Sequence, residues 1–282
     1  MIYGRAQSQL YESLEEAHYR VRSLARSSRA GNLGGDDKSW LAHEGYYLRS
    51  TIYKLSIPAV YLRLIQRRIT FVDLGLDPTI RLRYLLLKLY SRSFTDDFVF
   101  ASLDPKLPYD PNHEDWAAQR QDNPSVYSRQ ALVVGDLENV ADGLLKVDEG
   151  AARPLLFAEF ELLLERRKAQ DDSLQELVDL FVGFSPAKKP ILARLLTTQA
   201  YLAQMILSTY HGRVDAEGLL QGIDALLEKE ELRAELDWGD SGGIDAGPEQ
   251  ARAYLRQRLE WLQQSEARLE PNQHTELRDP KT

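Results

Sequence analysis

The side chains with most chemistry to offer are concentrated in two stretches, 40–68 and 79–101. Both are apolar around most of their circumference yet studded with Tyr, Arg and Asp. The first carries Tyr46, Tyr47, Arg49, Tyr53, Lys54 and Arg63, and closes on Arg67 and Arg68. The second carries Arg83, Tyr84, Lys88, Tyr90, Arg92, Asp96 and Asp97. A guanidinium offers a planar fork of donors that matches a phosphate or carboxylate, and neighbouring carboxylates suit a hard cation. Arg49, Tyr53, Arg63, Arg67, Arg68, Asp96 and Asp97 are therefore the candidate ligand-binding residues. If the two stretches pack as helices, Arg49 or Arg63 would meet Asp96 or Asp97. That meeting would form either a polar pocket or a salt bridge that sets helix register, and structural ion pairs are the commoner source of such residues.

The Asp96-Asp97 pair is similar to the paired aspartates of the all-helical isoprenoid synthases. The resemblance implies carboxylates that hold magnesium against a diphosphate. The chain departs from that pattern: it reads Asp96-Asp97-Phe98-Val99-Phe100, without a third acidic residue, and no second metal-binding motif follows. A polar pocket around Asp96 and Asp97 is accordingly kept only as a second alternative, an enzymatic one.

Other chemistries lack their residues. The five histidines are scattered at 18, 43, 113, 211 and 274, and His43-Glu44 is followed at 47 by Tyr where a zinc helix needs a second His. With no cysteine, disulfides, thiolate ligands and cysteine nucleophiles are excluded. Ser91, Ser93 and Ser125 lie outside any nucleophile elbow, and Gly31 to Gly35 follows a helical pattern, not the strand that a dinucleotide turn requires. No catalytic residue, metal or cofactor is expected, and an enzyme is the less favoured class.

Two basic clusters remain, Arg20, Arg22, Arg26 and Arg29, and Arg63, Arg67 and Arg68. Each lies near a helix C-terminus, where the macrodipole favours positive charge. Should they meet in space, a nucleic acid or nucleotide becomes the alternative ligand, with Tyr19 or Tyr61 to stack on a base. Residues 1–100 hold 15 Lys and Arg against 10 Asp and Glu, whereas the whole chain carries a net charge of −8. The basic excess is modest for a nucleic-acid-binding domain.

The elements that must position these side chains are helical. Leu10, Leu14, Ala17, Val21, Leu24 and Ala25 recur every three or four residues over 8–28, and the Gly31–Gly35 stretch ends that helix. A second helix is expected from Lys38 to about Arg68, kinked or divided at Pro58, and a third from Asp77-Pro78 to about Ala101. Residues 102–130 read as a long loop-rich connection. Helices follow over 131–146, with Leu132-Val133-Val134 able to open as a strand, then from Pro154, then from Ser173 with a capping box to Glu176. The 18 residues Leu195 to Gly212 lack charge but carry too many polar groups for lipid, so Pro190–His211 reads as a buried central helix. A helix over 215–236 precedes a glycine-rich linker at 237–247, an amphipathic C-terminal helix at 248–270 and a disordered tail at 271–282.

At 282 residues the chain can bury a substantial core. The expected fold is all-α: a multi-helix bundle of about nine helices spanning 1–236, with a hinged C-terminal helix and a sub-division near 103–130 as the variant architecture. The start Met1-Ile2-Tyr3-Gly4-Arg5 lacks a signal peptide's pattern, so a soluble cytoplasmic protein is expected. The expected role is that of a non-enzymatic interaction protein, such as an adaptor, regulatory subunit or scaffold. Its partner would be another protein or a second copy held through 248–270, with no membrane involved.

Overall fold

The computed structural model describes residues 2–33, 39–41, 45–67, 78–103, 129–148, 151–167, 173–210, 222, 225–239 and 248–267. They form a helical bundle with one small antiparallel hairpin. The ten helices bounded among the described residues are α1 (Ile2–Arg29), α2 (Tyr46–Gln66), α3 (Pro78–Ser93), α4 (Asp97–Ser102), α5 (Val134–Gly143), α6 (Phe157–Arg167), α7 (Ser173–Phe181), α8 (Pro190–Tyr210), α9 (Glu230–Glu235) and α10 (Pro248–Ala267). Strands β1 (Leu145–Asp148) and β2 (Ala151–Pro154) lie between α5 and α6.

Two helices act as hubs. The C-terminal hub, α8, packs against α1, α3, α4 and α10; the N-terminal hub, α2, packs against α1, α3, α5, α6, α7 and β2. Helices α1 and α3 touch both hubs, so the interior is continuous. The central helix expected over Pro190–His211 is thus present, and its residues 190–203 are buried without a break. Its polar side chains turn inward onto backbone: the hydroxyls of Thr197 and Thr198 donate to the carbonyls of Ala193 and Arg194 at 3.0 and 2.9 Å. Such bonds are how a helix buries threonine without leaving a hydroxyl unsatisfied.

The expected end of α1 is realised at Gly31, whose φ of +74° suits glycine. The amides of Gly31 and Asn32 bond back to the carbonyls of Ser28 and Ser27, both at 2.9 Å, closing a Schellman cap. Helix α2 begins at Tyr46, later than the expected Lys38, because Gly45 before it is extended with ψ at 172°. It runs through Pro58 as one helix.

The helix expected to continue to Ala101 breaks after Ser93. The Phe94 carbonyl, which would have accepted from Phe98, accepts instead from the Leu132 amide at 2.9 Å. The freed Phe98 amide donates to Asp97 Oδ1 at 2.9 Å, and α4 starts there. Between Val134 and Phe157 the expected helix–turn–helix is corrected more deeply. Helix α5 stops at Gly143, and residues 145–148 pair in antiparallel register with 151–154, Leu145 opposite Pro154 and Asp148 opposite Ala151. Pro154 therefore ends a strand and does not open a helix. Helix α6 starts three residues later, its first turn capped by Glu159, which accepts the Leu156 amide at 2.8 Å.

Two C-terminal expectations also change. The helix expected over 215–236 is interrupted at Glu228 and Lys229 before α9. Asp237, Trp238 and Gly239, expected to open a flexible linker, are held on the bundle: Trp238 is 2 % exposed and Ser28 donates to its carbonyl at 2.9 Å. Helix α10 lays Ala251, Tyr254, Leu255 and Leu259 against α8 and α4. None of the described helices is long and apolar enough to cross a membrane. The connection 104–128 and the tail 271–282 lie outside the described residues.

Candidate functional site

Helices α2 and α3 do pack together, and Tyr90 of α3 donates its hydroxyl to the Leu55 carbonyl of α2 at 3.4 Å, but the charged candidates pair with other elements. At the start of α2, Arg49 Nη2 donates to Glu165 on α6 at 2.7 Å, with Glu161 at 3.8 Å. One turn on, Tyr53 donates its hydroxyl to the Leu155 carbonyl at 2.8 Å, and its ring lies 5.3 Å from Phe157 and 5.5 Å from Phe160. Burial pushes that phenol above its ordinary value.

At the other end of α2, Arg63 grips Asp142 of α5 with both ends of its fork, Nε to Oδ1 at 2.8 Å and Nη2 to Oδ2 at 2.9 Å. Arg67 adds a third bond to Oδ1 at 2.8 Å. The Arg63 hydrogen bond holds the Asp142 carboxyl below the usual carboxylate range, and Asp142 in turn raises Arg63. Arg68 lies outside the described residues.

Asp96, at the break between α3 and α4, faces α10. Its Oδ2 accepts from the Tyr254 hydroxyl at 2.7 Å and from Arg258 Nη2 at 2.8 Å. The Tyr254 ring stacks on Phe100 with centroids 4.3 Å apart and planes 19° apart. Asp97 is buried and supports the Phe98 amide. The expected network of Arg49 or Arg63 with Asp96 or Asp97 is therefore replaced by three separate sites: Arg49 with Glu165, Arg63 and Arg67 with Asp142, and Asp96 with Arg258. Among the described residues, no group of three or more His, Asp or Glu is placed to hold a metal ion.

Two arginines of the first basic cluster, Arg22 and Arg29, are engaged at the other end of the chain. Arg22 pairs with Glu235, and Arg29 donates to the carbonyl of Ala234 at 3.1 Å and also to that of Asp237. The Arg29 bonds place positive charge on backbone carbonyls at the C-terminal end of α9 and just beyond it. Arg20 donates to Ser50 at 2.9 Å and sits over the Tyr47 ring at 4.7 Å. Tyr61, a candidate stacking residue, is buried, and its hydroxyl is pushed up to about 12.

Four residues that matter to the interior were not singled out from sequence. Asp142 is the acceptor that Arg63 of α2 and Arg67 just beyond it share. Arg194 has no exposed surface and donates to the Phe100 carbonyl at 3.0 Å. It is the only charged residue between Lys189 and Arg213, and that isolation was its signal. Trp238 donates its indole N–H to Thr197 Oγ1 at 2.7 Å and meets Phe184 edge-on at 5.7 Å. His18 is 2 % exposed, its Nδ1 is 3.0 Å from the Ala200 carbonyl, and burial lowers its pKa. It lies four residues after Leu14, inside the apolar stripe of α1, which marked it as buried.

One cleft of about 230 Å³ opens where α5, α6 and α7 meet. Its walls are Val140 of α5, Leu144 just beyond it, Leu163 of α6 and Leu174 of α7, with Asn139 and Ser173 also in its lining. The Ser173 hydroxyl donates to Asp136 at 3.0 Å, which stitches the start of α7 to α5. Comparison of the chain with protein-family models, with curated proteins and with solved structures finds no match.

Proposed function

We propose that this chain is a non-enzymatic helical interaction protein, an adaptor, regulatory subunit or scaffold. The supporting observation is how its charged candidates are spent. Arg49, Arg63, Arg67 and Asp96 all hold ion-pair partners on other helices of the same chain, where they fix helix positions. A phosphate ligand would have to displace Asp142 from both arginines, which leaves the nucleic-acid or nucleotide reading with little geometric support.

Apolar side chains, by contrast, stand out toward solvent on and around α6. Tyr46, Leu156 and Leu162 are 69, 62 and 58 % exposed, and Tyr46 meets Phe157 edge-on at 5.7 Å. Grouped exposed apolar residues mark protein contacts more often than isolated ones do. The test is affinity capture with the purified chain and with a Tyr46→Ser, Leu156→Ser, Leu162→Ser variant, quantified by mass spectrometry. A partner retained by the native chain and lost from the folded variant supports the proposal. Identical capture by both, or phosphate-dependent nucleotide binding abolished by Arg63→Ala and Arg67→Ala, refutes it.

A further inference from the structure

We draw no further inference here: the strongest candidate, the exposed apolar surface of Tyr46, Leu156 and Leu162 on and around α6, belongs to the interaction role already proposed, and nothing in the structure shows what covers it.

Discussion

Asp96 and Arg258, 162 residues apart in the chain, meet at 2.8 Å where the third helix breaks and the last one docks. The same carboxylate oxygen accepts the Tyr254 hydroxyl at 2.7 Å. A residue that resembles a magnesium ligand in sequence is thus the fastener of α10. Two donors on one oxygen, partly screened from water, are worth more than a surface pair.

Asp96→Ala should therefore destabilise the chain by about 2 kcal/mol, the scale of hydrogen bonds to a charged acceptor. Urea unfolding followed by circular dichroism measures it. In a double-mutant cycle with Arg258→Ala the two losses should be less than additive, since both remove one interaction. Fully additive losses would mean the pair is not coupled.

Removing α10 tests what its apolar face covers. Ala251, Tyr254, Leu255 and Leu259 are all buried against the bundle. A chain ending at 247 uncovers the matching surface of α8 and α4, and in light scattering its mass is expected to rise with concentration more steeply than that of the full chain. A truncated chain of unchanged association state would show that α10 shields nothing. Self-association through the face of α10 itself, expected from sequence, would require that face to leave its own bundle.

How far these contacts were legible depends on their range. The apolar faces of α1, α8 and α10 follow from three- and four-residue spacing, because burial on a helix is a local pattern. What each face covers is not local: nothing in the pattern of Tyr254 and Arg258 points to Asp96. The β1–β2 hairpin was missed for a related reason. β1 spells a single four-residue apolar–polar alternation, Leu145-Lys146-Val147-Asp148, and Ala151-Ala152-Arg153-Pro154 of β2 spells none, so the signal was too short to stand out from the helical spacing around it. The candidate residues stood out in the sequence by type, but their partners, Asp142 and Glu165, sat among ordinary acidic positions on helices α5 and α6.

His18 makes the interior sensitive to acid. Its folded pKa lies below 6.5 because burial disfavours the imidazolium, and Arg22 adds to the effect. The unfolded chain then binds the proton more readily, so stability is intact above about pH 6.5 and falls as pH drops toward the lowered folded value. His18→Asn keeps a donor for the Ala200 carbonyl and removes the titration. The native chain should lose more Tm than this variant between pH 7.5 and 5.5 in scanning calorimetry. Parallel losses would exclude His18 as the cause.

Asp142 has the opposite signature. Its carboxyl is held below 3.8, chiefly by Arg63, so its stabilisation is present above that value and disappears as pH falls through the lowered one. Asp142→Asn should cost about 1 kcal/mol at neutral pH, modest because the site is partly exposed. The gap between variant and native chain should close below the carboxylate range. A gap independent of pH would point to packing and not to charge.

Glu159 anchors the hairpin. It accepts from Arg153 Nη1 and Lys146 at 2.8 Å each, while also capping α6. These donors, Arg153 foremost, hold its carboxyl well below the usual range. Glu159→Gln should speed amide exchange across 145–154 and at Leu156 while leaving α8 protected. Unchanged exchange in the hairpin would show that strand pairing alone maintains it.

The seating of Trp238 has a practical consequence. Its indole lies in a dry contact with Phe184 and donates to Thr197 from the end of the segment that follows α9. An indole so enclosed emits at shorter wavelength than one in water. In a variant with Trp40, Trp116 and Trp261 replaced by Phe, light from this one ring would report whether the 230–239 strap is fastened. A binding event that pulls the strap loose would announce itself as a red shift long before the remaining helices come apart.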